Sequence, residues 1–416
     1  MNKQTKNKII YGVIIFIALL GGIIAFIIIN PANNQRITDT KNKFLPFGNT
    51  PDIENGSFDT ITISDNVAPS DNQPLFAQKM KRLVDAPVAG ATFFTNSVGQ
   101  INIRYAEQKT GDIYDYSLDT GISKLILRQN LPGVHNVLWG SNGQNAVFRF
   151  LKTVVNQDTI KTYILSFEEP GLEEKTIFSG KFLPDNIQEV IVSPSGKKVA
   201  YIQKNEQGDS FVMLEEIKEG QNREQIFASP FSEWLLEQPT ENLLTLTTKP
   251  SYDIDGYLYF TDIASGVTTK ILGNKKGLTA LTSPDATKIL YAKNEEQSYK
   301  LILYNVDTKE EINPNINSFP EKCVWGAGDG NLLYCAVPNL IGARNIPDKW
   351  YQGEVSYSDD IWLINTETKK AGLIAKTNDF NQNGIDVIKP FLSLDNRQLL
   401  FTNKIDNSLW LLELEK

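Results

Sequence analysis

The sequence predicts an all-β protein, a seven-bladed β-propeller of four-stranded antiparallel blades, with one transmembrane helix ahead of it. Three observations lead to this expectation. A short phrase returns along the chain at multiples of about 45 residues, which is a period typical of propeller blades. Apolar runs of period two alternate with turn clusters from Lys79 onward. Residues 9–29 are apolar and carry no charge.

The apolar segment Ile9–Ile29 predicts a helix that spans a membrane. At about 1.5 Å per residue, its length matches a hydrocarbon core of about 30 Å. Three lysines lie within residues 1–8, so the positive-inside rule places this N-terminus in the cytoplasm. The run ends at Asn30-Pro31 without a small-residue cleavage site, which favours an uncleaved signal anchor over a signal peptide. A buried core helix is the alternative.

Residues 30–77 are rich in Asn, Asp, Thr, Ser and Pro. This composition is typical of a linker, and we expect a stalk that holds a propeller at residues 78–416 off the membrane. The protein is then a single-pass protein of the cell membrane whose C-terminal domain lies outside the cytoplasm. Its first partner is the membrane itself, through the N-terminal helix.

The recurring phrase is a strand, a Ser-Pro-Asp/Ser-Gly-like turn and a second strand that ends in an aromatic residue. Its clearest copies are Val190–Tyr201, Ala280–Tyr291 and Pro390–Phe401. Weaker copies lie at Phe93–Tyr105, Val137–Phe148, Leu235–Leu246 and Val324–Tyr334. Third and fourth apolar runs follow these pairs, and four antiparallel strands per repeat are the pattern of a propeller blade. Separate β-sandwiches are the alternative.

The two ends of the repeat region predict how the ring closes. The last unit stops after a third strand at Ser408–Leu412, and a spare strand-like segment, Gln78–Val84, precedes the first unit. Pairing these two segments would complete the seventh blade and remove two exposed sheet edges.

The Ser-Pro-Asp/Ser-Gly phrase with its terminal aromatic resembles the WD40-like repeats of TolB-type periplasmic propellers. It also resembles the propeller domains of prolyl-oligopeptidase-like enzymes. The resemblance covers roughly Lys79–Lys416, and three of the seven copies carry it well. It implies a fold and no activity, because such propellers host unrelated functions. The Gly-x-Ser-x-Gly nucleophile elbow of the peptidases is absent from the sequence.

Composition excludes several kinds of site. The chain is 41% hydrophobic and 22% charged, as in globular proteins. Its net charge of −8 is spread without a basic stripe, so nucleic acid is not an expected partner. His135 is the only histidine, and no nucleophile motif lies near it. With one His and two Cys, a zinc site is not expected, and no catalytic residue is assigned.

Cys323 and Cys335 are a disulfide candidate. They flank the turn at residues 328–330 at equal distance, so a regular hairpin places them opposite each other. Cross-strand Cβ atoms lie about 4.5–5.5 Å apart, close to the range that a disulfide spans. Oxidation is possible outside the membrane. Two buried free thiols are the alternative.

The segment from Asp379 to Asp386 resembles a calcium loop. Oxygen-bearing side chains stand at its first, third and fifth positions, which are Asp379, Asn381 and Asn383, and Gly384 stands at the sixth. The eighth position is Asp386, a further candidate ligand, where an EF-hand has an aliphatic residue. The twelfth position is Pro390 where an EF-hand has Glu. Calcium is therefore the one cofactor considered, and a polar turn without metal is the alternative.

The longest departure from the repeat is the insert Val337–Asp359 in the sixth unit. Its aromatic and basic residues are of the types enriched at binding hot spots: Arg344, Lys349, Trp350, Tyr351 and Tyr357. The insert is either a recognition surface or a self-packed loop whose aromatics cover the edge of the blade.

These features predict a non-catalytic, membrane-anchored module that binds or scaffolds envelope proteins or surface polymers. One alternative is a glycan-active enzyme that uses paired carboxylates at the mouth of the propeller, where about 5–10 Å separates the two acids. Scattered candidates for such a pair are Asp253, Asp255, Asp285, Asp359 and Asp360. Another alternative is a structural subunit of a secretion or pilus complex.

Overall fold

The computed structural model describes residues 79–154, 157–168, 177–218, 222–295, 298–328, 330–341 and 345–414. The expected anchor at residues 9–29, the expected stalk at residues 30–77 and Arg344 of the insert lie outside these residues. Within the described part, no helix is both long and apolar enough to cross a membrane.

Seven four-stranded antiparallel sheets make up the described part, so the predicted all-β, seven-bladed propeller is confirmed. The first strand, β1 Lys79–Val84, belongs to the last blade. Blade 1 consists of β2 Val88–Thr95, β3 Ile101–Glu107, β4 Ile113–Ser117 and β5 Ser123–Leu127. Blade 2 consists of β6 Val134–Trp139, β7 Asn145–Val154, β8 Gln157–Glu168 and β9 Ile177–Phe182. Blade 3 consists of β10 Val190–Val192, β11 Lys198–Lys204, β12 Ser210–Glu216 and β13 Arg223–Ser229.

The remaining blades repeat this order. Blade 4 consists of β14 Trp234–Thr240, β15 Leu243–Thr248, β16 Asp255–Asp262 and β17 Thr268–Lys276. Blade 5 consists of β18 Thr279–Thr282, β19 Lys288–Glu295, β20 Ser298–Asn305 and β21 Glu311–Ile312. Blade 6 consists of β22 Cys323–Trp325, β23 Leu332–Pro338, β24 Asp359–Asn365 and β25 Lys370–Lys376. Blade 7 has β26 Val387–Leu392, β27 Gln398–Asn403 and β28 Leu409–Glu413. A short helix, α1 Asp348–Tyr351, lies in the insert, and 3-10 turns lie at Ser141–Gly143, Pro320–Lys322 and Thr377–Asp379.

The ring closes as the sequence predicts. Strand β1 pairs antiparallel with β28, and Met80 lies opposite Leu412 while Arg82 lies opposite Trp410. The fourth strand of blade 7 therefore comes from the beginning of the propeller and the other three from its end. This pairing covers the edge of β28, which would otherwise present unpaired backbone groups.

The second strand of each blade explains the aromatic at the end of the repeat phrase. Neighbouring blades pack against both of its faces, so it is a continuous apolar run instead of an alternating one. Tyr201 and Tyr291 are 0% exposed and Phe401 is 1% exposed, at equivalent places in blades 3, 5 and 7. The repeated aromatic is thus a core residue between blades.

The serine of the phrase closes the turn between the first two strands. Ser193 Oγ accepts the N–H of Lys198 at 3.1 Å, and the same bond recurs at Ser283 (2.9 Å) and Ser393 (3.0 Å). Three residues after each serine the backbone is left-handed, with φ of 71° at Gly196, 59° at Ala286 and 56° at Asn396. Glycine adopts this conformation without strain and asparagine tolerates it, whereas Ala286 adopts it at an energetic cost.

Candidate functional site

The first strands of the blades surround a central channel. Neighbouring first strands contact each other, as β2 does with β6 and β10 does with β14. Two cavities of about 420 and 350 Å³ lie between them. Both cavities are lined by Thr92, Trp139, Val192 and Phe391, so they are consecutive sections of one channel. Blades 7, 1, 2 and 3 line both sections, and blade 4 joins them in the first.

The first section of the channel has a mainly apolar lining that includes Lys389. The register of β26 against β27 shifts between Ile388 and Phe391, and Lys389 has a left-handed backbone with φ of 52°. Such a bulge re-aims a side chain. Lys389 Nζ donates to Asn136 Oδ1 at 2.6 Å and to the carbonyl oxygen of Ala89 at 2.9 Å. Lys389 is exposed as a whole residue, but the channel wall removes part of the water around its ammonium group and lowers the pKa of Lys389 to about 8.

Glu237 of β14 lines the same section. Its Oε2 accepts the N–H of Thr282 at 3.0 Å and the hydroxyl of Thr245 at 3.4 Å. Burial raises the pKa of Glu237 to about 7, against the lowering effect of these hydrogen bonds, and the charge of Glu321 raises it further. The section therefore combines a lysine that is mainly charged at neutral pH with a carboxyl group that is about half ionised.

The second section of the channel has an apolar mouth. It is lined by Phe93, Trp139, Phe391 and Leu394. The rings of Phe93 and Phe391 stack with centroids 6.1 Å apart. Phe391 is nevertheless 45% exposed and Leu394 is 90% exposed. Leu394 stands where the other clear copies of the repeat have Pro194 and Pro284, so the exposed leucine is specific to blade 7.

The insert of blade 6 lies across several blades at the other side of the ring. Asp348 of α1 accepts hydrogen bonds from Ser251 Oγ at 3.0 Å and from the N–H of Tyr252 at 2.9 Å, both in blade 4. Asn294 of blade 5 donates to the carbonyl oxygen of Ile346 at 2.6 Å. Lys404 of blade 7 donates to the carbonyl oxygen of Trp350 at 2.5 Å. The insert is therefore tied to blades 4, 5 and 7.

The predicted insert residues divide into buried and exposed ones. Trp350 is 3% exposed and stacks on Phe319 with centroids 4.7 Å apart, as the self-packed alternative describes. Tyr357 is half-buried over the same Phe319 ring. Tyr351 is 43% exposed and its hydroxyl donates to Glu321, while Lys349 is half-buried. Partner recognition by the insert stays a prediction. The residues available for it are the exposed ones of the insert, and Trp350 is not among them.

A buried charged cluster beside the insert was missed by sequence reasoning. Lys322, Asp359 and Asp386 are each 0% exposed. Lys322 Nζ donates to Asp359 Oδ2 at 2.5 Å and to Asp386 Oδ1. Asp359 and Asp386 were named from the sequence for other kinds of site. The three residues are far apart in the sequence and follow no recognised spacing, so no sequence signal points to their meeting.

The cluster also bears on the calcium-loop expectation. The carboxylate of Asp386 contacts Lys322 and the Trp350 indole, so it is turned into the core and away from Asp379, which is exposed. Asn381 accepts the N–H of Asn383 at 3.2 Å within the turn. Asp386 is therefore turned away from the rest of the segment, and calcium binding stays a prediction. Among the described residues, no group of three or more His, Cys, Asp or Glu side chains could hold a metal ion.

Cys323 and Cys335 lie directly opposite each other in the pairing of β22 with β23. Their Cα atoms are 4.1 Å apart and their sulfur atoms are bonded at 2.12 Å. Both residues are buried. The oxidation state in the cell stays a prediction, because it depends on the compartment as well as on the geometry.

The carboxylates named for the glycan-active alternative do not meet in the channel. Asp253 pairs with Lys276 at 2.5 Å, Asp285 accepts a bond from Ser283 in its turn at 2.6 Å, and Asp359 is in the buried cluster. Asp255 lines a separate cavity of blade 4, and Asp360 is half-buried in β24. Of the described residues that line the two channel sections, Glu237 is the one carboxylate.

His135 is exposed at the start of β6 and lies near the channel. Its pKa is lowered, first by loss of water around the ring and then by the positive charges of Arg149 and Lys389. It is therefore neutral at pH 7.

Solved structures similar to this chain share the propeller fold. One is an oligogalacturonate lyase from Vibrio parahaemolyticus, with a TM-score of 0.54, 11% identity, and coverage of 81% of this chain and 94% of that one. Another is an oligogalacturonate lyase in complex with manganese, with a TM-score of 0.53, 10% identity, and coverage of 81% and 93%. A third is the Cps50 (Swd1) β-propeller domain of Myceliophteria thermophila, with a TM-score of 0.50, 8% identity, and coverage of 81% and 100%. At such identities the likeness shows the fold alone.

No protein-family model matches the chain. No curated protein is significantly similar to it in sequence.

Proposed function

We propose that this protein is a non-catalytic binding module, anchored in the cell membrane by residues 9–29, that holds an extended segment of an envelope protein in its central channel. The observation that carries the proposal is the exposed apolar mouth formed by Phe391 and Leu394. Exposed apolar side chains gathered at a concave opening are typical of protein-binding sites. The aromatic ring of Phe391 supplies a rigid anchor of the kind found at hot spots.

The ammonium group of Lys389 in the first section supports a partner with a carboxylate. An ammonium group has three N–H donors, and two of those of Lys389 are used by Asn136 and Ala89. The third can bond an anionic group that enters the channel. In the partly dehydrated channel, a charge-assisted bond of this kind is stronger than in water.

The two sections adjoin each other along the channel. Along β2, Thr92 lines both sections, while Ala91 lines the first and Phe94 lines the second. Three residues of extended chain span about 10 Å. A partner segment of a few residues therefore reaches both Lys389 and the apolar mouth.

The envelope location rests on three sequence features. They are the apolar segment at residues 9–29, the lysines that precede it and the resemblance of the repeat phrase to TolB-type periplasmic propellers. The apolar mouth favours a protein segment over a carbohydrate, because a polysaccharide offers few apolar side groups.

Site-directed photo-crosslinking in the native membrane tests the proposal. A photoreactive residue at Leu394 should give one recurring product with an envelope protein, and Phe391→Ser should abolish it. Val267 is the matched control, because it is also apolar and exposed (61%) but lies on a turn of blade 4 away from the channel. The same scattered products from Leu394 and Val267 would contradict the proposal.

The glycan-active alternative has its own test. Purified protein incubated with oligogalacturonate, with and without manganese, should release no unsaturated product. Product formation that Glu237→Gln abolishes would favour the enzyme over the binding module.

A further inference from the structure

The buried cluster of Lys322, Asp359 and Asp386 has the chemistry of an amide-forming site. All three side chains are 0% exposed. Lys322 Nζ contacts both carboxyl groups, lying 2.5 Å from Asp359 Oδ2 and within hydrogen-bond contact of Asp386 Oδ1. Aromatic rings cover the amine, with its nitrogen 5.1 Å from the centroid of Trp350 and 5.7 Å from that of Tyr357. An amine and two carboxyl groups are therefore held together in a site without solvent exposure.

The charges in this cluster do not balance. One ammonium contacts the two carboxylates directly, and the further positive charge nearby is that of Lys404, which acts on Asp386 and whose Nζ lies 4.8 Å from the Trp350 ring centroid. Burial of ions is unfavourable unless their charges and hydrogen bonds are matched. Burial raises the pKa of Asp359 to about 6, against the lowering effect of Lys322, and the charge of Asp386 raises it further. Asp359 Oδ1 is buried and has no hydrogen-bond partner among the described residues. A proton shared among these groups lowers the cost of burying them.

The two oxygens of Asp386 are held differently from those of Asp359. Asp386 Oδ2 accepts the backbone N–H of Tyr357 at 3.0 Å and the indole N–H of Trp350 at 3.1 Å, and Oδ1 shares the indole N–H at 3.2 Å. Two N–H donors that converge on one oxygen stabilise the negative charge that develops there when a nucleophile attacks the carbonyl carbon. Asp386 is thus arranged as an acyl acceptor and Asp359 as its proton-carrying neighbour.

We propose that Lys322 and Asp386 become joined by an intramolecular amide bond between Nζ and the side-chain carboxyl carbon. Proton transfer within the ion pair first gives a neutral amine and a neutral Asp386 carboxyl group. The amine nitrogen attacks Cγ, and the charge that forms on Oδ2 is stabilised by the N–H groups of Trp350 and Tyr357. Asp359 takes a proton from the nitrogen and returns one to Oδ1, which leaves as water. One C–N bond forms, one C–O bond breaks, and no oxidation or reduction takes place.

Burial of the site makes condensation of the amine with the carboxyl group favourable. In water, an amine and a carboxylic acid remain ionised and separate. Here the amide replaces two buried ions by one neutral group and releases the water to solvent, which removes the unfavourable burial of charge. The bond links the turn before β22 in blade 6 to the residue before β26 in blade 7, across 64 positions of sequence. It would lock these two blades together next to the insert.

Mass spectrometry of the full-length protein after reduction and alkylation of its cysteines tests the proposal. The expected intact mass is lower by one water than the mass of the sequence with both cysteines alkylated. Tryptic digestion should give a branched peptide that joins the segments around Lys322 and Asp386, without cleavage after Lys322. Linear peptides that cover both residues, with Lys322 cleaved by trypsin, would overturn the proposal. This readout uses the unaltered protein, so it stands even where a variant fails to fold.

Variants and an internal control separate this bond from other losses of water. Lys322→Ala and Asp359→Ala should each have the full sequence mass, and the second keeps both bonding partners but loses the proton carrier. An Asp-Gly succinimide, as at Asp255-Gly256, would persist in both variants and would show that water is lost elsewhere. The pair Lys276 and Asp253 is equally close at 2.5 Å but exposed, and it should stay unlinked.

Discussion

Lys389 on the seventh blade donates a hydrogen bond to Asn136 on the second blade, at 2.6 Å. The bond spans the edge of the first blade and places the ammonium group in the channel. It depends on closure of the ring, because the two residues are 253 positions apart in the sequence. The sign and position of this charge decide which partner the channel can accept.

Binding of an acidic partner should weaken as the pH rises. Lys389 has a lowered pKa of about 8, so it is charged below that pH and loses its charge above it. Affinity should therefore fall as the pH passes through about 8, although a bound carboxylate moves this point upward. Lys389→Met should bind more weakly at pH 7 and lose the dependence. The measurement is partner affinity against pH. Glu237→Gln is the control, because Glu237 is the other titrating group in the channel. A fall in affinity with pH that persists in Lys389→Met would contradict the role of the lysine.

The left-handed turn position offers a test of the repeat. Ala286 has φ of 59°, so Ala286→Gly should stabilise the fold by about 1 kcal/mol, because glycine adopts this conformation without strain. Gly196→Ala should destabilise the fold by more than that, since an added Cβ would lie 2.4 Å from the backbone nitrogen of Ser141. Denaturant unfolding of both variants checks this pair. If both variants change the free energy of unfolding equally and in the same direction, the turn does not impose the left-handed conformation.

Trp350 and Tyr351 should behave differently despite being neighbours. Trp350→Ala removes a buried ring stacked on Phe319 and should cost about 3–5 kcal/mol of unfolding free energy. Tyr351 is already partly exposed, so Tyr351→Ala removes little buried surface and should cost about 1 kcal/mol of unfolding free energy or less. Thermal unfolding measures both effects. If Tyr351→Ala weakens partner binding while stability is kept, the insert is a second recognition surface; a large loss of stability would assign Tyr351 to packing as well.

The disulfide has a direct chemical test. Cys323 and Cys335 lie opposite each other in a ladder, so they should be bonded in protein taken from an oxidising compartment. The unreduced protein is unfolded, alkylated and analysed by mass spectrometry, which should then find no modified thiol. Two modified thiols in such material would refute the bond. Because the hairpin is already held by its ladder, loss of the bond should cost less than the roughly 3 kcal/mol of a free loop.

The repeat could be predicted from sequence because each of its features is local. The serine bond, the left-handed turn residue and the apolar second strand all lie within about a dozen residues. Opposition of Cys323 and Cys335 followed from the same local hairpin. Closure by β1 was predictable because the last repeat has only three strand-like runs, while a spare strand-like run, Gln78–Val84, precedes the first repeat.

The candidate site depended on contacts that no local pattern contains. Lys389 enters the channel because a bulge in β26 turns it inward, and the sequence around it shows only a Lys-Pro step. Asp386 matched a local pattern of oxygen-bearing residues, yet its carboxylate is held by Lys322, 64 residues earlier. Trp350 is of a residue type that is enriched at binding hot spots, but packing across several blades buries it.

The most direct test of the binding proposal is the affinity of the full-length protein for the segment that the channel captures. A synthetic peptide of that segment should bind the detergent-solubilised protein in a one-to-one complex by calorimetry. Leu394→Ser should weaken binding at least tenfold, about 1.4 kcal/mol, while Val267→Ser should leave it unchanged. Equal affinity of the peptide for both variants and for the unaltered protein would contradict the assignment of the channel mouth as the binding site.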